Sequence, residues 1–165
     1  LNSITFELAK YIFNKKMNFT IRKGTKADVP AAYNLIIELA IYEKEPEAVT
    51  NTIEKMYEDG FGENPVYGFF VAENEGVIVG MALYYIRYST WKGKRLFLED
   101  LIVTEKYRGN GLGELLLTKI IEEAKNTNCT GAMWQVLDWN EPAINFYNKF
   151  GVRYDKGWYN VHLDL

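Results

Sequence analysis

Tyr107-Arg108-Gly109-Asn110-Gly111-Leu112-Gly113-Glu114 joins an apolar run, Leu96 to Val103, to a stretch with helical periodicity. Residue types and spacing at that junction suit anion binding. Gly109, Gly111 and Gly113 can take positive φ and let a ligand approach the main chain, so that successive N–H groups converge on an anion at the positive end of a helix dipole. Arg108 adds a planar fork of donors beside them. The spacing is neither of the two common nucleotide motifs: the dinucleotide fingerprint needs its third glycine where Glu114 stands, and no G-K-[ST] of a P-loop occurs. A tight turn whose glycines serve only packing stays open on the turn alone, and Arg108 tips the balance toward an anion.

Other chemistries find few candidates. His162 is the single histidine and Cys129 the single cysteine, so no His/Cys metal cluster is expected and no metal is called for. Ser3 and Ser89 are the available serines and neither stands in G-x-S-x-G, which disfavours a hydrolase triad.

Placing the glycine turn requires a scaffold of ordinary size. The 165 residues, 48% of them hydrophobic, suit one core that buries roughly 70% of the unfolded surface. A net charge of −3, with no extended run of Lys and Arg, argues against a nucleic-acid partner and tolerates a cationic small molecule. No apolar stretch approaches the roughly 20 residues that span a bilayer, so no membrane partner is expected. A lone cysteine fits a reducing, cytoplasmic setting.

The periodicities alternate in a regular order. Phe19 to Arg22 reads as a strand; a helix N-capped by Asp28, with Pro30 in its first turn, runs to Glu43; a second helix capped by Thr50 stops at Gly60. Val66–Glu73 and Val77–Tyr88 read as strands joined by a hairpin turn at Asn74-Glu75-Gly76, and the strand around Leu96–Val103 follows. Leu112, Leu115, Leu116, Ile120 and Ala124 give a long amphipathic helix ending near Asn126. Gly131–Leu137 is expected as a strand, Pro142–Phe150 as a short helix with Gly151 at its C′ position, and Tyr154–Leu165 as one or two closing strands. The class is α/β (α+β), with hairpins on one side and a βαβ crossover on the other. Met17 immediately precedes the first strand, so residues 1–16 are expected to be an appendage and 17–165 a single domain.

Taken together the motifs resemble a known superfamily. A strand ending in an acidic pair, Tyr-Arg-Gly-Asn-Gly-Leu-Gly at a helix start, and Trp139-Asn-Glu-Pro-Ala-Ile-Asn-Phe-Tyr-Asn-Lys-Phe-Gly151 are similar to the GCN5-related N-acetyltransferases, which use acetyl-coenzyme A. Leu39-Ala40, Tyr42-Glu43, Glu58-Asp59-Gly60-Phe61-Gly62-Glu63, Tyr84-Tyr85, Trp91-x-Gly93-Lys94 and Leu98-Glu99-Asp100 resemble the spermidine/spermine (diamine) acetyltransferases among them, and relatives acting on thialysine share much of this pattern. The resemblance implies a mixed, mostly antiparallel sheet of six to seven strands, splayed at the cofactor site and flanked by about four helices.

It also implies roles. Arg108, Gly109, Asn110, Gly111, Leu112, Gly113 and Glu114 would hold the coenzyme A pyrophosphate; Leu101, Ile102 and Val103 would pair their main chain with the pantetheine arm, as an added strand would. Asn140, Glu141, Pro142 and Ala143 match a segment touching the other side of the cofactor, and Asn140 can equally be an N-cap. Tyr147 matches the general acid that protonates the leaving thiolate, a tyrosine of pKa about 10 donating to a thiol near 8.5; packing on the sheet is the alternative. Glu99 matches a glutamate that contacts substrate and relays the ammonium proton. Because successive strand residues face opposite ways, only one of Glu99 and Asp100 is expected to face a given pocket, and Glu99 is favoured. Tyr42 and Glu43 match a second patch near the amine, and Met133, Trp134 and Gln135 a strand lining the same cleft.

Two departures bear on specificity. Tyr88-Ser89-Thr90-Trp91 stands where animal relatives often read Tyr-Asp-Pro-Trp, which removes a carboxylate useful for a long polyamine, and Phe150 replaces a common basic residue. The expectation is an acetyl-coenzyme A dependent N-acetyltransferase on diamines or polyamines, working by direct attack as a homodimer. The alternatives are a thialysine-type amino acid substrate and a non-catalytic acetyl-coenzyme A sensor.

Overall fold

The computed structural model describes residues 19–163, and the expected appendage at residues 1–16 lies outside them. The chain divides into two compact units, one up to Trp134 and one from Gln135.

The first unit is a five-stranded sheet in sequential order, β1 (Phe19–Lys23), β2 (Gly68–Asn74), β3 (Val77–Ser89), β4 (Gly93–Val103) and β5 (Ala132–Trp134). The first four pair antiparallel and β5 runs parallel to β4. Glu75 and Gly76, at φ 49° and 82°, form the two-residue turn between β2 and β3, with the two positive φ values a type I′ hairpin needs. Between β4 and β5 the chain crosses over through helix α3 (Leu112–Asn126), as a parallel connection must.

Each sheet face has its own cover. Phe69, Val71, Met81, Leu83 and Ile102 point toward α1 (Val29–Glu43) and α2 (Ile53–Phe61), where Val29, Ala32, Leu35 and Met56 complete a core. On the opposite face α3 brings Leu112, Leu116, Leu117 and Ile120, all fully buried, against a sheet surface that includes Leu96 and Leu98. There Glu123 takes hydrogen bonds from the Tyr84 hydroxyl at 2.9 Å and Lys23 Nζ at 3.0 Å.

Asp28 is not the side-chain cap expected of it. It ends a 3-10 turn, Lys26–Asp28, and its carboxylate instead receives Arg22 Nη1 and Nη2 at 2.7 and 2.8 Å together with the Thr25 N–H and hydroxyl at 2.8 and 2.7 Å. An arginine fork outcompetes the weak cap, because two charge-assisted bonds fix the same oxygens. Helix α2 is capped at Thr52 rather than Thr50, its hydroxyl accepting from Lys55 N at 3.2 Å.

The second unit holds α4 (Glu141–Asn148), which brings the helices among the described residues to four, and an extended terminal segment. The sheet has five strands rather than six to seven, because the expected closing strands between 154 and 163 do not form among the described residues. Tyr154 donates its hydroxyl to Ile144 O and Asn148 Oδ1 on α4, and Gly157 turns the chain at φ 95°, so this segment is tied to a helix.

Candidate active site

The glycine turn is built by β4, a 3-10 turn over Glu105–Tyr107 and the start of α3. Gly109 and Gly111 both sit at φ 78°, and a Cβ added at either would meet nothing within 4 Å. The glycines therefore leave room on their outer side, which is what a ligand lying against main chain requires. Gly113 differs from expectation: α3 begins at Leu112, which puts Gly113 in the first helical turn. Leu115 N–H bonds to Gly111 O, so the amides before it are the helix's unshared donors at the positive end of the dipole. These residues fit a diphosphate.

Arg108 is held on two sides. Its Nε donates to Val103 O at 2.8 Å, and its guanidinium lies over the Tyr42 ring with 5.1 Å to the centroid. The face of the guanidinium is thus engaged by Tyr42, a residue expected at the amine. The turn itself is braced from α1 by Glu38, which accepts from Thr104 Oγ1 at 2.9 Å and from Glu105 N–H at 3.2 Å. No motif drew attention to Glu38, because its partners lie 66 and 67 residues away.

Strand β4 changes character halfway along. Leu96, Phe97 and Leu98 pair with β3 on one side and β5 on the other, whereas from Asp100 to Val103 the pairing is with β3 alone. This is the expected splay, and it leaves one edge of Leu101, Ile102 and Val103 without a strand neighbour among the described residues.

At the same point β4 carries a bulge. Leu83 pairs with Asp100 and Tyr84 with Leu98, so Glu99 is an inserted residue without a rung of its own. An extra residue resets the alternation, and Glu99 and Asp100 both come to the face of Leu83, Tyr85 and Phe97. Only one of the acids lines the hollow on that face, and it is Asp100 rather than the favoured Glu99, which stays exposed beside it.

That face holds an acidic hollow of about 200 Å³, lined by Ile36, Leu39, Ala40, Glu43, Glu45, Ala48, Val49 and Asp100. Lys44 ends α1 in the left-handed region at φ 68°, and the reversal there sets Glu43 and Glu45 on the rim. Glu45 is a carboxylate that sequence reasoning passed over, since only the reversal at Lys44 brings it to the pocket. Burial pushes the Asp100 carboxyl up to about 6, with the negative charges of Glu99 and Glu43 adding to it. Burial also raises Glu43 and Glu99. A cluster of carboxylates with raised pKa values is a site prepared for a cation.

Met133 and Trp134 split across the sheet. Met133 is in register with Phe97 and so shares the face of the acids, whereas Trp134 matches Leu98 on the α3 side. In the second unit Gln135 lies beyond the end of β5, its Nε2 donating to Asn160 Oδ1 at 2.7 Å. Asn140 caps α4, its Oδ1 accepting from Ala143 N–H at 3.2 Å, with Glu141 and Pro142 opening the helix. Tyr147 is 7% exposed, with Phe146 at 5.2 Å between ring centroids.

A family model described as the acetyltransferase (GNAT) family matches residues 30–152. The chain belongs to the GNAT acetyltransferase family. It is 37% identical over 155 residues to the thialysine N-epsilon-acetyltransferase of Mus musculus, covering 87% of this chain and 91% of that protein. It is 35% identical over 151 residues to the Homo sapiens spermidine/spermine N(1)-acetyltransferase-like protein 1, covering 86% of this chain and 22% of that protein. Among solved structures, an aminoglycoside N-acetyltransferase in complex with CoA shares the fold at a TM-score of 0.73 and 17% identity, covering 92% of this chain and 99% of that one.

Proposed function

We propose that this GNAT protein transfers an acetyl group from acetyl-coenzyme A to a primary amine of a diamine, a polyamine or an amino acid side chain, by direct attack in a ternary complex. The observation that carries the reading is an acidic hollow and an anion-binding turn at the two ends of one strand segment, Asp100–Val103, that pairs on one side only. A cation and a polyanion can then meet along it.

The chain's own groups divide the work. Arg108 and the amides opening α3 bind diphosphate, while the free edge of Leu101, Ile102 and Val103 aligns an extended arm. Asp100 and Glu43 hold the ammonium, at roughly 4 kcal/mol per pair for charges about 4 Å apart at an effective dielectric of 20. An aliphatic amine with a pKa near 10 must lose a proton before it can attack, and Glu99, exposed beside Asp100, passes that proton to water. When bound, acetyl-coenzyme A supplies an activated acyl carbon and a thiolate leaving group. From the family resemblance we assign Tyr147 the role of proton donor to that sulfur and the Asn140–Ala143 segment a contact with the cofactor. The reading includes a homodimer, supported by the exposed Trp158 and Tyr159 and tested by sedimentation.

Thiol release on mixing protein, acetyl-coenzyme A and a panel of amines tests the activity. Turnover with at least one aliphatic amine is expected; tight binding of acetyl-coenzyme A without turnover would identify a sensor instead. Tyr147→Phe should lower kcat by about 100-fold, with KM for acetyl-coenzyme A within about two-fold of the native value. Unchanged kcat removes Tyr147 from the chemistry.

A further inference from the structure

On the sheet face that carries Glu99 and Asp100, two arginines stand directly opposite each other, Arg87 on β3 and Arg95 on β4. Like charges across a strand pair destabilise a sheet, so packing alone gives no reason for them. Their heads lean the same way. Arg95 Nη2 donates to Ala132 O at 2.9 Å, and Arg87 Nη1 reaches Met133 Sδ at 3.6 Å, so both guanidinium groups gather over the first two residues of β5. A thioether is a weak acceptor and neutralises nothing. Arg95 Nε is buried and has no hydrogen-bond partner among the described residues, which is costly in a folded chain unless something else supplies an acceptor.

Between the arginine pair and the acids lie Tyr85 and Phe97, stacked at 5.2 Å. They make an apolar floor. Burial raises the Tyr85 hydroxyl most, Glu99 raises it further and Arg87 lowers it, so the ring lies within electrostatic reach of both charged ends. The arginine pair and the acids thus stand at opposite ends of the ring pair on one sheet face, as the two charged ends of an extended aliphatic substrate require.

We propose that Arg87 and Arg95 seat a carboxylate of the amine substrate, so that this GNAT protein acetylates the side-chain amine of a free amino acid in preference to a polyamine. The inference rests on the acetyltransferase reading above and narrows it. The same two charges would meet the second ammonium of a diamine lying in that direction, so the pair repels the competitor as it holds the substrate.

Matched amines with the whole chain provide the test: L-lysine against cadaverine, and thialysine against bis(2-aminoethyl) sulfide, each pair differing by the carboxylate. With thiol release as readout, kcat/KM should favour the carboxylate-bearing member by at least 10-fold. Arg87→Gln, at an exposed position, should raise KM for lysine about 10-fold with kcat nearly unchanged, and should leave cadaverine unchanged or improved. Lysine methyl ester should behave toward the native protein as cadaverine does, which tests the seat with no substitution. Equal or better use of cadaverine, or an Arg87→Gln variant with an unaltered lysine-to-cadaverine ratio, overturns the carboxylate seat and leaves the acetyltransferase reading standing. No thiol release with any amine overturns both.

Discussion

Asp28 and Asp100 are both shielded aspartates that lie against helix α1, and their surroundings push them in opposite directions. Asp28 receives a bidentate arginine and two bonds from Thr25, so its carboxyl sits well below the usual range, with Arg22 the first cause. Asp100 lies in a hollow where the charges acting on it are those of Glu99 and Glu43, and burial drives it up to about 6. One carboxylate completes a joint between β1 and α1. The other is kept short of counter-charge inside the fold, and the free energy of that shortage is recovered when a cation arrives. A buried acid with a partner therefore reads as architecture, and a buried acid among other acids reads as a binding site.

Breaking the first half of the contrast should give the largest effect. Asp28→Ala leaves Arg22 without its main partner, and denaturant unfolding at pH 7 should show a loss of about 2–3 kcal/mol, below the 3–5 of a fully buried pair because the Arg22 side chain is 35% exposed. Since the folded pKa is depressed, this stabilisation is complete above the ordinary carboxylate pKa near 4 and fades as the pH falls below it.

Asp100→Asn should do the reverse. It removes a charge the fold resists, so the melting temperature at pH 7.5 should rise, while kcat/KM for the amine falls by 10-fold to 100-fold. Because the native pKa lies above that of the unfolded chain, the difference in stability between variant and native protein should be greatest above pH 6 and vanish toward pH 4. Amine kcat/KM in the native protein should decline as the pH drops through about 6, where the carboxylate takes up its proton. A variant that loses activity and also melts lower would mean that Asp100 is partnered after all.

Glu43→Gln sharpens the comparison with the smallest effect. Burial dominates at Asp100, so removing one neighbouring charge should move the acid limb of the pH profile downward by less than one unit. No movement would show that Glu43 lies too far from Asp100 to act.

How readily each part could be read from sequence followed the range of the interactions behind it. The glycine turn, the helix after it, the hairpin at Glu75-Gly76 and the cap at Asn140 depend on neighbours within a few residues, and their outlines are visible in the chain. The bulge at Glu99 depends on the register between β3 and β4, which no local pattern encodes, and alternation alone does not say that Asp100 rather than Glu99 lines the hollow. Tyr42 was assigned to the amine by motif, yet its ring carries Arg108, a contact between residues 66 positions apart in sequence. The closing strands were expected from a β-rich composition that includes Tyr154, Val161 and Leu163, and the hydrogen bonds of Tyr154 to α4 overrode that propensity. Glu45, Arg87 and Arg95 belong to no motif, and their interest arises only from the side chains brought near them.

The residue inserted at Glu99 also separates two kinds of freedom. Upstream of it, β4 is locked on both flanks; downstream, it answers to β3 alone. Shifting the insertion by one peptide would exchange which acid looks into the hollow while leaving Leu96, Leu98 and Ile102 in their layers. A lineage carrying such a strand can retune its choice of amine by sliding a single kink, without repacking the interior beneath it.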